Sequence, residues 1–205
     1  MPDLGLSGVV LVGGRSRRMG RDKARLLWRG QPLWRRQIRI LERAGAHPVR
    51  LALRARQKSF GESSLEIRDR HPNAGPMSGL QAALEAAAGS EWVAVLAVDM
   101  PRIDADWFRR LRARCRPGVG AVRVARNGFE PLAAIYPTAA LSVVTRRLRR
   151  RKLALQALLA ELTDCGLMVP LRLSKADLTK VANWNEPRDV RVERVVPNAL
   201  GRKTR

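Results

Sequence analysis

The segment Gly13-Gly14-Arg15-Ser16-Arg17-Arg18-Met19-Gly20-Arg21-Asp22-Lys23 joins a glycine pair to a cluster of cationic side chains. Glycines let a backbone approach a ligand closely and offer unobstructed N–H groups to phosphate oxygens. Arg15, Arg17, Arg18 and Lys23 add donors for charge-assisted hydrogen bonds. The segment is not a Walker A loop, because no Gly-Lys-Ser/Thr follows at the required spacing, and it is not GxGxxG. Two glycines among arginines also describe an ordinary exposed turn. The residues by themselves therefore establish an anion-friendly loop.

Asp99 is the second chemically suggestive position. It follows the nearly continuous apolar run Trp92 to Val98 and precedes Met100-Pro101. A carboxylate at the end of a buried strand can meet a ligand at the sheet edge, and a hard oxygen ligand suits Mg²⁺, which takes one or two carboxylates plus substrate phosphates. On spacing alone, a cap on the following turn or helix is equally open. His47 and His71 have no partner pattern and are not proposed as bases. The run Arg146 to Lys152 could attract an anion, but such runs are more often solvated helix faces.

These residues need a scaffold, and the hydrophobic pattern supplies one. Gly8 to Val12 reads as a buried strand entering the glycine loop. Trp28 to Pro32 reads as a turn, with Pro32 opening a helix through Leu33, Trp34, Ile38 and Leu41 that Gly45 ends. Pro48 to Leu53 and Leu65 to Asp69 read as strands, and Met77 to Ala88 as an Ala/Leu-rich helix. The run to Val98 has the continuous apolar character of a strand buried on both faces. A helix over about 105–115 follows, then two strands, Val119 to Val124 and Leu132 to Tyr136, flanking Asn127-Gly128. Ala139 to Leu162 reads as mostly helical, Leu167 to Leu171 as a strand, and a last helix begins near Arg188. Alternating strands and helices predict a three-layer α/β fold with a mostly parallel sheet. With no repeat and no linker, residues 1–196 are expected to form a single domain and 197–205 a frayed basic tail.

Charge is the compositional outlier. Lys and Arg number 40 against 18 Asp and Glu, a net charge of +22, and 34 of the 40 are arginines. Such a field attracts polyanions, including nucleotides, nucleic acid and acidic membranes. A dedicated nucleic-acid binder would add aromatics for stacking, yet these are only 4% of the chain and the five tryptophans are scattered. The bias toward Arg, Ala and Leu is better explained by a general compositional preference. Cys115 and Cys165 lack metal-ligand spacing and fit reduced thiols, hence a cytoplasmic protein. No run approaches membrane-spanning length. The apolar stretch precedes the arginine pair Arg17-Arg18, which argues against an export signal.

The whole string Leu11 to Lys23 resembles the signature of the molybdenum cofactor nucleotidyltransferases, within the larger group of sugar-phosphate-type nucleotidyltransferases. Gly75-Pro76-Met77-Ser78-Gly79-Leu80 resembles that family's second glycine motif, and Val98-Asp99-Met100-Pro101 its metal-binding turn. Pro131 to Tyr136 and Asn183-Trp184-Asn185-Glu186-Pro187 resemble its later elements, so the likeness runs over roughly residues 8 to 190 in the family's order. The Gly13-Gly14 pair and the Asp-Met-Pro turn are similar to the guanylyl branch; the cytidylyl branch usually shows Ala-Gly and Asp-Gln-Pro. Where the family carries an asparagine after its second strand, this chain has Leu51-Ala52-Leu53-Arg54.

The resemblance implies a Rossmann-like nucleotidyltransferase fold of the glycosyltransferase-A-like kind, and it assigns roles. Leu11, Val12, Gly13, Gly14, Lys23, Asp69, Gly75 and Asp99 would bind the nucleotide, with guanine read by backbone groups around Leu11 to Gly13. Lys23, Asp99 and Arg18 would serve catalysis, Asp99 holding Mg²⁺. Asn183 and Asn185 would contact the acceptor. Alone, Lys23 reads as a surface lysine, Asp69 as a turn residue and the asparagines as helix caps. The implied reaction is GMP transfer from GTP to molybdopterin (Mo-molybdopterin), releasing pyrophosphate, with a molybdopterin-delivering protein and an acceptor molybdoenzyme as partners. The alternatives are a cytidylyltransferase, or a related enzyme using another phosphorylated acceptor. A basic nucleic-acid-binding protein that has kept the fold and lost catalysis is a third reading.

Overall fold

The computed structural model describes residues 5–13, 22–172, 174, 177 and 179–181. The elements are β1 (Leu6–Leu11), β2 (Leu27–Trp28), β3 (Gln31–Pro32), α1 (Leu33–Arg43), β4 (Val49–Leu53), β5 (Glu66–Arg68), α2 (Pro76–Ala86), β6 (Trp92–Ala97), α3 (Ala105–Arg112), β7 (Gly120–Ala125), β8 (Gly128–Phe129), β9 (Ala133–Pro137), α4 (Leu141–Arg149), α5 (Leu155–Asp164) and β10 (Met168–Arg172). The main sheet runs β10-β7-β9-β6-β1-β4-β5, with β8 paired to β7. β1 is parallel to both β4 and β6, and β4 to β5. β9 runs against its neighbours β6 and β7. The sheet is therefore mostly parallel, as the alternation of elements predicts.

Two apolar layers cover the sheet. On one face Leu33, Leu41, Trp107 and Phe108 from α1 and α3 meet Val10, Leu51 and Leu96. On the other, Met77, Leu80, Val144 and Leu158 from α2, α4 and α5 meet Val9, Val93 and Val95. Every residue of β6 is buried, the pattern of a strand covered on both faces. In α1 the buried positions 33, 34, 37, 38, 40 and 41 fall on one helical face. Pro32 precedes its first turn, and the helix stops where Gly45 takes φ 88° while Ala46 N–H donates to the Leu41 carbonyl. The Trp28–Pro32 turn is a two-strand hairpin whose central residues, Arg29 and Gly30, both have positive φ.

The span from 139 to 162, expected to be mostly helical, is made of two helices, α4 and α5. Arg151 adopts φ 53°, its N–H donates to the Leu148 carbonyl, and Lys152 N–H donates to the Arg147 carbonyl. These bonds satisfy the last carbonyls of α4 and turn the chain before α5. The basic run here is only partly a solvated face. Arg147 is buried, and it and Arg146 both bind Glu161 of α5. Among the described residues, no helix is long and apolar enough to cross a membrane.

Candidate functional site

β6, β1, β4 and β5 are consecutive parallel strands, so their carboxyl ends share one edge of the sheet. In open α/β sheets this is the edge where ligands bind. Along it the chain places Asp99 after β6, Leu11-Val12-Gly13 at the end of β1, Arg54 after β4 and Asp69 after β5. Distances in sequence of up to 88 residues are closed by strand order alone.

Asp22 caps the short 3₁₀ turn Lys23–Arg25 by accepting the Ala24 N–H at 3.0 Å, and Ala24 is fully buried beneath it. This anchoring directs the Lys23 ammonium to the Asp99 carboxylate at 3.2 Å, both side chains retaining some exposure. Asp99 is itself held from below. Gln37, completely buried in α1, donates through Nε2 to the carbonyls of Ala97 (3.3 Å) and Met100 (2.9 Å), which bracket Asp99. Arg36 completes the bracket by donating to Gln37 Oε1 and to the Ile103 carbonyl.

At the end of β1 much of the backbone is committed to the fold. The Leu11 carbonyl accepts from Val98, Val12 N–H donates to the Ala52 carbonyl, and the Val12 carbonyl accepts from Gln57. A ligand reading the backbone here would share carbonyls that already accept one bond, or use Gly13. A Cβ on Gly13 would stand 3.0 Å from Arg54 Cγ, so Arg54, at the end of β4, lies directly against the glycine.

Asp69 closes the far end of the row. Its N–H donates to the Leu53 carbonyl at 2.9 Å. Burial raises its carboxyl above the usual range, an effect that the Ala55 amide and the charges of Arg54 and His71 partly offset. Gly75 takes φ 61° at the start of α2, a conformation that favours glycine. Gly79, one turn on, makes room for Leu11: a Cβ there would be 3.2 Å from Leu11 Cδ2.

The structure thus brings together Leu11, Val12, Gly13, Lys23 and Asp99, with Asp69 in the neighbouring β4–β5 corner and Gly75 heading α2. Gly14, Arg18, Asn183 and Asn185 lie outside the described residues. The chain leading toward the asparagines is tied down by Asp177, whose carboxylate binds Ser174 and Arg110 and stands 3.7 Å from Arg123.

Sequence reasoning missed Gln37, Gln57 and Glu130. Gln37 does carry a signal, since it stands at i+4 from Leu33 and i−4 from Leu41 on the apolar face of α1; Gln57, in a loop, carries none. Glu130 does carry a signal, because it immediately precedes the Pro131 motif. Its N–H donates to the Arg123 carbonyl of β7 and its carbonyl accepts from Ala133, so it heads the turn that leads into β9 beside the end of β6, within electrostatic reach of Asp99. Burial pushes the Glu130 carboxyl up to about 7, eased by the Leu132 amide and increased by the charge on Asp99.

The residues fit a divalent cation of the Mg²⁺ type in one specific way. Among the described residues no cluster of three or more metal-ligating side chains exists. Asp99 offers a hard oxygen beside an open edge, so an ion held there would need ligand phosphates to complete its shell, which is the habit of Mg²⁺.

Residues 8–165 match the family model described as the MobA-like NTP transferase domain. The chain is 51% identical over 186 residues to a "Probable molybdenum cofactor guanylyltransferase" of Opitutus terrae, covering 90% of this chain and 92% of that one. It is 37% identical over 144 residues to a protein of the same description from Deinococcus radiodurans, covering 69% and 72%. Among solved structures it is similar to the molybdopterin-guanine dinucleotide biosynthesis protein A of Archaeoglobus fulgidus, with a TM-score of 0.67, 22% identity, and 91% and 95% of the two chains covered. A nucleotidyl transferase from Methanothermobacter gives a TM-score of 0.69 at 15% identity, covering 93% and 96%. At those identities the structures speak to the fold.

Proposed function

The chain belongs to the MobA-like NTP transferase family, and we propose that it transfers GMP from GTP to the terminal phosphate of molybdopterin (Mo-molybdopterin). Pyrophosphate leaves, and the product is the guanine dinucleotide form of the molybdenum cofactor. The observation that carries this reading is the meeting of Lys23 and Asp99 at the carboxyl edge of β1 and β6, beside Gly13. The names borne by the relatives from Opitutus and Deinococcus support the choice of substrates.

The chemistry asks little of side-chain bases. A phosphate monoester has its second pKa near about 6, so the attacking oxygen is already ionised at neutral pH. That oxygen forms a bond to the α-phosphorus, the bond to the β-phosphate bridge breaks, and pyrophosphate departs with the electron pair. Alignment and charge neutralisation remain to be supplied. Gly13 and Gly14 offer backbone donors to the triphosphate, and Arg18 adds a cation. The Lys23 ammonium pairs with Asp99. A triphosphate brings competing oxygens to the same ammonium, which then neutralises charge developing toward the leaving group. Bound Mg²⁺, held by Asp99, would polarise the phosphate oxygens. Asp69 and Gly75 border the nucleoside side, while Asn183 and Asn185 are assigned to molybdopterin.

GTP and molybdopterin are the substrates of this reading, drawn from the cytoplasm, with a molybdopterin-delivering protein and an acceptor molybdoenzyme as partners. Pyrophosphate release measured with molybdopterin and each of GTP, CTP and ATP tests it. Selective turnover of GTP is expected; selective turnover of CTP would move the chain to the cytidylyl branch, and none with any nucleotide would overturn catalysis.

A further inference from the structure

We propose that Gln57 is a positioning residue, a clasp that holds the two ends of the glycine-arginine loop at the spacing a nucleotide triphosphate requires. The loop leaves β1 after Val12 and returns at Asp22, the residue that caps the Lys23 turn. One side chain bridges those ends. Gln57 Nε2 donates to the Val12 carbonyl at 3.0 Å and to Asp22 Oδ2 at 3.1 Å, while its Oε1 accepts the Arg54 N–H at 3.2 Å. Gln57 is 7% exposed. Its donors are both used, so the carboxamide is matched to its place as few other side chains could be.

The geometry demands both kinds of atom. A carboxylate of the same shape would set its oxygens against the Val12 carbonyl and the Asp22 carboxylate. An aliphatic side chain would leave the Val12 carbonyl and the Arg54 amide without their partner in a part-buried corner, each at a cost of roughly 1–3 kcal/mol. Asp22 is the point of transmission: one oxygen takes Gln57 and the other takes Ala24 N–H, fixing the turn that aims Lys23 at Asp99. Gln57 therefore sets the position of Lys23 relative to Gly13 without touching a ligand.

The functional consequence rests on the nucleotidyltransferase reading of the loop, so the test pairs a ligand-free readout with a ligand-bound one. In full-length Gln57→Leu, amide hydrogen exchange over residues 22–26 should accelerate at least tenfold without nucleotide, and calorimetric affinity for Mg·GTP should fall at least tenfold. Gln57→Glu should show the same defects at pH 8 and recover toward wild type as pH falls to about 5.5 and the carboxyl regains a donor; Gln57→Leu should not recover. Combined with Asp22→Ala, the loss in GTP affinity should be less than additive. Wild-type exchange in Gln57→Leu, or strictly additive losses, would overturn the clasp. Faster exchange in a chain whose wild type binds no nucleotide would uphold the clasp and overturn the nucleotide reading instead. If Gln57→Leu does not fold, the pH profile of Gln57→Glu decides: recovery upholds the clasp and a flat profile overturns it.

Discussion

Lys23 Nζ lies 3.2 Å from Asp99 Oδ2, joining a turn that follows the glycine loop to the turn that ends β6, 76 residues away. Each group is the other's charge partner, and in the proposed reaction each is also a group that a metal-bound triphosphate would engage. On that proposal the contact gives way to substrate rather than serving as a strut. An ion pair with both members partly exposed contributes little to stability on its own.

Asp99→Ala should therefore lower kcat by at least about a hundredfold with the fold retained, the scale of losing one main electrostatic contributor. Lys23→Ala should lower kcat with GTP by about tenfold or more, because its ammonium neutralises charge that develops toward the leaving group. The double variant should be no worse than Asp99→Ala, because the two act on one charge array. Steady-state kinetics with circular dichroism as the fold control checks all three. Near-normal Mg²⁺-dependent turnover in Asp99→Ala would remove that residue from the mechanism.

Glu130 supplies a pH-dependent term in stability. Its carboxyl is pushed up to about 7 in the folded protein from an ordinary 4.5, chiefly by burial and further by Asp99. The folded chain thus binds more protons than the unfolded one between those values, so stability falls as pH rises through that window and levels off above it. A shift of this size corresponds to a few kcal/mol, on the order of 3. Denaturant titrations of Glu130→Gln should lose this slope, and wild-type stability should converge on that of the variant at low pH. A variant whose pH dependence matches wild type from 4.5 to 7 would contradict the assignment.

Much of this was legible in the sequence because the strongest signals are periodic or terminal. The apolar run ending at Asp99 could only be a covered strand, and Gly8 to Val12 could only feed the glycine loop. The edge on which Asp99, Gly13 and Asp69 meet then follows from the way parallel strands align. What was not legible is the layer beneath. Gln37 and Gln57 act through pairings with sequence-distant backbone groups: the apolar stripe of α1 marks Gln37 as buried but not what it binds, and Gln57, in a loop, has no periodic mark at all. The point at which the mostly helical span 139–162 breaks was hidden for a different reason: the residue that turns the chain, Arg151, is not the glycine that usually announces such a position.

The two cysteines should differ sharply toward alkylating reagents. Cys115 is part-buried just past the C-terminal end of α3, its Sγ donating to the Leu111 carbonyl at 3.4 Å, and burial pushes its thiol up to about 12. Cys165 is exposed at the end of α5. Because the thiolate is the reactive form, a disulfide reagent at pH 8 should modify Cys165 promptly and Cys115 only on unfolding. Cys165→Ser should abolish the fast phase; a fast phase that survives would place Cys115 within reach of solvent.

Arg151 offers a stabilising substitution. Its φ of 53° brings the Cβ of an L-residue too near the carbonyl that follows, at a cost of roughly 1–2 kcal/mol. The hydrogen bonds that close α4 are made by backbone groups of Arg151 and Lys152, so they do not depend on the Arg151 side chain. Arg151→Gly should therefore relieve strain while keeping the turn. Glycine also gains freedom in the unfolded chain, which offsets part of the benefit. The net expectation is an increase of about 0.5–1 kcal/mol, or a few degrees in Tm for a chain of this size. Arg151→Pro tests the same geometry from the other side: a ring that fixes φ near −65° cannot adopt this turn, and its missing N–H removes the bond to the Leu148 carbonyl. That variant should lose several degrees in a thermal melt. A proline variant as stable as the wild type would mean that α4 does not end in this turn.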